Sequence, residues 1–309
     1  MARVATTTMY SRSASYLQNL NTRLDKASQQ YNTGKKFETA SESPANFGAS
    51  MRLQNDIAMY EQYDTNAGYA IDNLSLEETS LSSANTSLDR AKVLLQDGVN
   101  GSYGQDEYNA IAAELEEIQK YLLDLMNTKT SEGEYIFAGS TSNTKPFEDD
   151  GTGKIVYKGD NGQRSIQASA SVNVAVSDSG LSIFQNVATG TDGESPDNIY
   201  NTLGKAIAAL RNNDPNLNTV LAEVQDGVLN AQTSINTALG KVGARQNVLE
   251  NVIDANDGIS EVKQEANATI SEVDLYEASS NLVQIQSNLQ MAMKSFNYVT
   301  GTSLFDYIS

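Results

Sequence analysis

Residues 275–299, LYEASSNLVQIQSNLQMAMKSFNYV, carry the strongest structural signal in this chain of 309 residues. Apolar side chains recur alternately three and four positions apart over three heptads, which is the spacing of a helix that packs one face against another helix. The stretch therefore predicts an amphipathic helix that requires a partner helix. Its apolar face comprises Leu275, Ala278, Leu282, Ile285, Leu289, Ala292, Phe296 and Val299.

A matching face occurs near the other end of the chain, and it comprises Leu17, Leu20, Leu24, Ala27 and Tyr31. Two such faces at opposite ends predict that the ends pair with each other, or with copies of themselves. Because one paired face buries few large side chains for the length of chain that it orders, we expect both ends to be mobile in a monomer and ordered in an assembly. The candidate assembly interface is Leu17, Leu20, Leu24, Leu275, Leu282, Ile285, Leu289 and Phe296.

Between the two ends, further helical patterns have clear boundaries. Ser43 followed by Pro44 is typical of a helix start, and apolar residues repeat from there to about Gln96 at helical spacing. The other predicted helices cover about 6–32, about 105–128, a short stretch from about Pro196 and a long stretch after Pro215.

The long helix after Pro215 contains two irregularities. Arg245 is the single charged residue in an apolar face that otherwise continues for five heptads. Asp257-Gly258 is a candidate interruption before the C-terminal helix, because glycine is unfavourable inside a helix.

From about Glu134 to Ser195 the periodicity changes from helical to alternating. Every second residue from Ile166 to Val176 is apolar, which predicts one half-buried strand. Residues 135–137 and 155–157 are further strand candidates, and glycine-containing turns separate these segments. A small β module is therefore predicted between the helical halves.

The pattern is symmetric along the chain, with tail helix, rod helices, β module, rod helices and tail helix in that order. The simplest fold turns the chain back at the β module and brings both termini to one end of an antiparallel bundle. We predict a mainly α fold with an inserted small β domain, built as a long antiparallel helical rod with paired N- and C-terminal tail helices. The predicted parts are assembly tails 1–43 and 270–309, rod 44–133 and 196–269, and β domain 134–195.

Composition excludes several functions. The chain has no Cys and no His, which removes disulfides, thiolate and imidazole metal ligands, and imidazole bases. A formal net charge of −18 opposes nucleic-acid binding through the general surface. There is neither an apolar run long enough to span a bilayer nor an apolar segment after Met1, so we predict no membrane span and no secretory signal.

The first 50 residues differ in charge from the rest of the chain. They contain six basic and three acidic side chains, for a net charge of +3. A solvated basic helix face explains this excess, and so does a basic end that contacts acidic partner subunits. The sequence leaves both explanations open.

Few residues are arranged for chemistry. Glu116 and Glu117 are adjacent on a predicted helix and therefore do not face each other. Residues 149–153, DDGTG, lack the ligand spacing and closing Glu of an EF-hand, which favours a plain turn. Lys35 and Lys36 follow a glycine, but no strand precedes them as in a phosphate-binding loop. We expect no catalytic residue, no metal, no cofactor and no enzymatic activity.

Three segments identify a family. Residues 32–36, NTGKK, with 41–45, SESPA, resemble a conserved segment of the bacterial flagellin superfamily, although Glu42-Ser43 stands where acidic pairs are commoner. Residues 239–247, LGKVGARQN, resemble the family's rod motif, and the stretch from 274–278, DLYEA, to the chain end resembles its C-terminal region. The resemblance covers essentially the whole chain.

Within the superfamily, the chain resembles the hook–filament junction proteins more closely than filament flagellin. Residues 133–139, GEYIFAG, followed by 145–147, KPF, resemble the entry of that subfamily to its β domain. Residues 157–160, YKGD, with Arg164 and the alternating stretch after it, resemble the next segment. The ending 303–308, SLFDYI, also resembles the junction subfamily.

The resemblance implies a structural protein of the bacterial flagellum that is exported unfolded by the flagellar type III apparatus and located outside the cell. Its implied partners are copies of itself in a ring or short helical layer, the first junction protein on the hook, flagellin, and a cytosolic export chaperone. The tails would form an inner tube, the rod the next shell, and the β domain the outside. A filament flagellin is the near alternative, and a secreted enzyme or binding module the distant one.

Overall fold

The computed structural model describes residues 2–100, 103–185 and 197–301. Within these ranges the chain forms seven helices and four short strands, which confirms the predicted mainly α fold with a small β region. The elements in chain order are α1 (Ala2–Thr33), α2 (Pro44–Asn100), α3 (Gln105–Met126), β1 (Phe147–Asp149), β2 (Ile155–Tyr157), β3 (Ser165–Gln167), β4 (Asn173–Ala175), α4 (Gly180–Phe184), α5 (Ile199–Asn212), α6 (Leu217–Ser271) and α7 (Leu275–Gly301).

Most predicted helix boundaries agree with the structure. Helix α2 begins at Pro44, as the Ser43-Pro44 pair predicts, and ends at Asn100, four residues later than expected. The predicted interruption at Asp257-Gly258 is wrong, because α6 continues through it to Ser271. A single glycine costs a helix only about 1 kcal/mol, which a long helix accommodates. The predicted start at Pro196 and the ending 303–308 lie outside the described residues, as does the side chain of Val299.

The chain divides into two compact units. One consists of Met1–Met59 and Gly258–Ser309, and the other of Tyr60–Asp257. The second unit buries the predicted heptad leucines of α2 completely. The last three of them pack with apolar residues of α3, α5 and α6, and the first packs with residues of the β3–β4 region and α6. These leucines are Leu74, Leu81, Leu88 and Leu95.

The predicted single strand from Ile166 to Val176 is wrong, because β3 and β4 form an antiparallel hairpin there. The amides of Ala168 and Ser169 both donate to the carbonyl of Val172 and close the turn. The register pairs Ile166 with Val174, both even-numbered, so both arms direct even-numbered residues to the same face. The alternation of apolar and polar residues therefore continues through the turn unchanged, as it would in a single strand.

Strands β1 and β2 form a second antiparallel hairpin, which confirms the predicted strand at 155–157. The prediction of a strand at 135–137 is wrong, because Tyr135 forms only an isolated bridge with Lys129 and the next two residues form a turn. Ile136 and Phe137 are buried nonetheless. Their burial explains why a short apolar run reads as a strand in the sequence.

Two asparagine side chains attach the β1–β2 hairpin to helices. Asn127, just after α3, donates to the carbonyl of Phe147 (3.1 Å) and accepts from its amide (3.0 Å). Asn201 of α5 makes the same pair of bonds with Ile155, at 2.8 and 3.0 Å. A side-chain amide thus occupies the place of a neighbouring strand at each edge of the hairpin and satisfies its outward-facing backbone groups; Asn198 also donates to the carbonyl of Ile155 (2.6 Å).

Candidate assembly interface

Helices α1 and α7 pack against each other in antiparallel orientation. Near the start of α1, the ring of Tyr10 lies 5.3 Å from that of Phe296, near the end of α7. At the opposite end of the pair, Lys35 and Glu272 form an isolated antiparallel bridge. The chain ends therefore pair with each other within one molecule, which was one of the two pairings that the sequence left open.

Most of the predicted interface residues lie between the two helices. Leu20, Ile285 and Leu289 are buried, and Ile285 is only 3% exposed. Leu17, Leu24, Leu282 and Phe296 are partly buried. Leu275 is different, because it opens α7 and is 56% exposed. The structure thus brings together seven of the eight residues and leaves Leu275 at the surface.

Tyr10 belongs to this contact but was missed in the sequence. It lies one heptad before Leu17, so the apolar face of α1 extends one repeat farther toward the N-terminus than the predicted set. The signal was present, and extending the heptad register backward would have found it.

Backbone hydrogen bonds close the end of the pair that lies away from the chain termini. The amide of Lys36 donates to the carbonyl of Ser271 (2.7 Å), and the amide of Val273 donates to that of Gly34 (2.8 Å). Gly34 has a positive φ of 70°, which glycine adopts without strain. Residues 32–36, NTGKK, therefore end α1 and form backbone hydrogen bonds with the residues just before α7.

Asp274 begins α7. One of its carboxylate oxygens accepts from the amides of Tyr276 (2.8 Å) and Glu277 (3.3 Å), as an N-cap does. The cap explains why the helix starts at Leu275, although that residue is exposed.

The pair leaves apolar surface uncovered. On α7, Val283 is 62% exposed, and Tyr276, Met291 and Met293 are also exposed; on α1, Met9, Tyr16 and Tyr31 are exposed. A groove of about 450 Å³ lies along both helices. It is lined by residues that include Arg12, Tyr16, Leu17, Asn288, Met291 and Phe296. The groove combines apolar side chains with polar ones such as Arg12 and Asn288, a composition that is suited to contact with another protein surface.

The described residues show no arrangement for metal chemistry. No group of three or more acidic side chains among them is spaced to hold a metal ion. In residues 149–153, Asp149 accepts from the amides of Gly151 (2.7 Å) and Gly153 (3.1 Å), and Asp150 accepts from that of Thr152 (2.8 Å). These carboxylates therefore stabilise a turn. Within the described ranges, none of the helices has the length and apolar character needed to cross a membrane.

Comparisons with known proteins agree with the family resemblance. Residues 4–142 match the family described as the bacterial flagellin N-terminal helical region. The chain is 26% identical to flagellar hook-associated protein 3 of Escherichia coli (strain K12), with 98% of both chains aligned.

Two solved structures share the fold. Flagellar hook associated protein-3 from Legionella pneumophila is 20% identical, with a TM-score of 0.64 over 71% of this chain and 98% of that one. The flagellar junction protein FlgL from the same organism is 19% identical, with a TM-score of 0.59 over 72% of this chain and 99% of that one. This chain is similar to the bacterial flagellin N-terminal helical region over residues 4–142, and over 98% of its length it is similar to flagellar hook-associated protein 3 of Escherichia coli.

Proposed function

We propose that this protein is a structural subunit of the bacterial flagellum that joins the hook to the filament. The observation that carries the proposal is the antiparallel α1–α7 pair, which buries one apolar face and leaves a second apolar surface exposed. That surface supplies the place where neighbouring subunits bind. The names of the relatives, hook-associated protein and junction protein, support the position between hook and filament.

The junction role is favoured over that of a bulk filament subunit. Relatives from two organisms that align over 98% of both chains are named flagellar hook-associated protein 3. The resemblance of residues 133–139 and 145–147 to the junction subfamily favours the same role. A structural role also fits a chain that lacks Cys and His.

In this proposal the partners are copies of the same chain in a ring or short helical layer, the first junction protein on the hook, flagellin, and a cytosolic export chaperone. The protein leaves the cell through the flagellar type III apparatus and resides in the flagellum outside the cell. Residues 1–43 and 270–309 act as assembly tails, 44–133 and 196–269 as the rod, and 134–195 as the outer β domain.

Deleting the gene tests the position of the protein. Bare hooks with abundant flagellin in the medium are expected, because filament subunits would be exported but would have no junction on which to assemble. Bare hooks with no other flagellin in the medium would instead identify the chain as the filament subunit and overturn the proposal.

A charge in the interface tests its assembly role. Leu282→Asp and Leu289→Asp should abolish filament assembly while the rod stays folded, because a charge is costly to bury in a desolvated interface. Gln286→Asp is the matched control, since it adds the same charge at an exposed polar position of α7. Wild-type motility of either leucine variant would contradict the interface assignment.

The state of the tails in the free protein is a separate test. We expect fast amide exchange in residues 1–30 of a monomer and slow exchange in the assembled state, because neighbouring subunits supply the remaining buried surface. Protected exchange throughout this range in a proven monomer would show that assembly is not needed to order the tails.

A further inference from the structure

A buried carboxyl group in the second unit has no partner for its charge. Glu77 of α2 is 1% exposed, and both of its carboxylate oxygens lack a hydrogen-bond donor among the described residues. Asn73, one turn earlier, also has a buried side-chain nitrogen without an acceptor. An ionised carboxylate in such a place is strongly disfavoured, so a proton on Glu77 is the ordinary way to remove the charge.

The charged neighbours of Glu77 come from two other elements. Asp178 lies between β4 and α4, and Arg245 lies on α6. Arg245 donates one bond of 2.9 Å to each oxygen of Asp178, and Gln163 also donates to Asp178. The guanidinium of Arg245 therefore neutralises the charge of Asp178, and the carboxyl group of Glu77 is left without a counter-ion of its own.

Burial has the largest effect on the pKa of Glu77, and the negative charge of Asp178 has the next largest. Together they outweigh the opposing effect of Arg245 and raise the pKa of Glu77 to about 8. Asp178 and Glu77 are also close enough for a proton to form a hydrogen bond between them, which acts in the same direction. With one proton, the two carboxyl groups and the guanidinium are neutral as a set.

Asp178 also lines a polar cavity of about 490 Å³, together with Gln163, Ser179, Thr237 and Lys241. The cavity places space for water beside Asp178. Solvent can therefore approach the acidic pair from the Asp178 side.

We propose that buried Glu77 holds a proton beside the Asp178–Arg245 pair, and that this proton controls how firmly the β module is attached to α2 and α6. When the proton is present, Asp178 and Arg245 join the segment before α4 to α6, and neutral Glu77 packs beneath them on α2. When the proton leaves, two carboxylates face one guanidinium in a buried site, and the repulsion loosens this junction.

The sign of the pH dependence follows from linkage. The unfolded chain releases the Glu77 proton near the usual value of 4.5, whereas the folded chain retains it to about pH 8. Between these values the folded state binds one more proton, so raising the pH favours unfolding. Above both values this group contributes no further change.

Glu77→Gln tests the proposal, because it keeps the shape of a protonated glutamic acid and cannot ionise. Glu61→Gln is the matched control, an exposed glutamate on the same helix in the same unit. We expect Glu77→Gln to melt several degrees above wild type at pH 9 and at the same temperature as wild type at pH 5. Glu61→Gln should follow wild type throughout. A melting-temperature difference that does not change with pH would overturn the proposal.

Infrared spectroscopy of the wild-type protein is the second readout and does not depend on the variant folding. A carboxylic acid band is expected at pH 7, and it should disappear as the pH is raised through 8 to 9. The band should also be missing from Glu77→Gln at pH 7 and present in Glu61→Gln. A wild-type protein without any such band at pH 7 would overturn the proposal.

Discussion

Arg245 and Asp178 form the most buried ion pair among the described residues of the second unit, and the two terminal guanidinium nitrogens each lie 2.9 Å from a different carboxylate oxygen. The two-pronged geometry explains how one arginine occupies the otherwise apolar face of α6. The pair connects a helix that follows the β module with a loop inside that module. Arg245 therefore belongs to a junction between elements and is not a defect in a helix-packing face.

Replacing Arg245 should destabilise the second unit strongly. Arg245→Leu leaves Asp178 buried without its counter-ion beside Glu77, and the loss of one partner of a buried pair costs about 3–5 kcal/mol. Urea unfolding followed by circular dichroism measures the change as a lower transition midpoint.

Arg90→Leu provides the control for this experiment. Arg90 pairs with Glu114, but both side chains are well exposed, so solvent screens their interaction. We expect no resolvable change in its midpoint. Equal midpoints for the Arg245 and Arg90 variants would mean that the buried pair adds no stability beyond that of a surface pair.

Gly180 is held too closely for a side chain. A Cβ atom there would lie 2.7 Å from a ring carbon of Phe147 and 3.0 Å from the carbonyl oxygen of Phe137. Phe147 is fully buried, and its ring packs against those of Tyr157 and Phe184. Gly180→Ala should therefore destabilise the protein by about 1–3 kcal/mol, as overpacking does, and thermal melting measures the loss.

Gly240 is the matched glycine inside α6. Apart from the adjoining residues and backbone of its own helix, no described atom lies within 4 Å of the Cβ position there, so Gly240→Ala should stabilise the protein by about 0.5–1 kcal/mol through helix propensity. If both alanine variants melt at a higher temperature than wild type, the packing around Gly180 is looser than the structure shows.

Periodicity identified the elements that pack along their length. The heptad leucines of α2, the face of α7 and the start at Pro44 were all readable, because each residue repeats a pattern that neighbours reinforce. The β hairpin of 165–175 was read as one strand, since a turn with an even register leaves the alternation unchanged. Local patterns thus predict faces better than they predict chain reversals.

Contacts between elements distant in sequence could not be predicted. Asn127 and Asn201 lie 20 and 46 residues from the strands they bind, and nothing in their neighbourhood marks them. Glu77 reads as an ordinary polar residue of a helix, and its burial depends on Asp178 and Arg245. The irregularity at Arg245 was visible, but its partner was not. Polar contacts between distant elements can be identified only from the three-dimensional structure, because the sequence separation of their residues follows no regular period.

Asn127 gives a test of such a junction. Asn127→Ala removes the acceptor for the amide of Phe147 and the donor for its carbonyl. Unsatisfied buried groups cost about 1–3 kcal/mol, so the β1–β2 hairpin should unfold more readily. Hydrogen exchange at residues 147–157 measures the effect. Asn247→Ala is the control, because that exposed amide bonds only to its own helix at Gly243; similar exchange in both variants would remove Asn127 as an anchor of the hairpin.

The cap of α7 offers a test within the first unit. Asp274→Ala removes the acceptor for the amides of Tyr276 and Glu277 and should destabilise the first turn by about 1 kcal/mol, roughly a fivefold rise in local exchange. Asp274→Asn retains an oxygen acceptor and should preserve most of the protection. Hydrogen exchange of residues 276–279 distinguishes the two variants. If the alanine and asparagine variants exchange alike, the helix start is held by the backbone bonds of Lys36 and Val273, and Asp274 has no capping role.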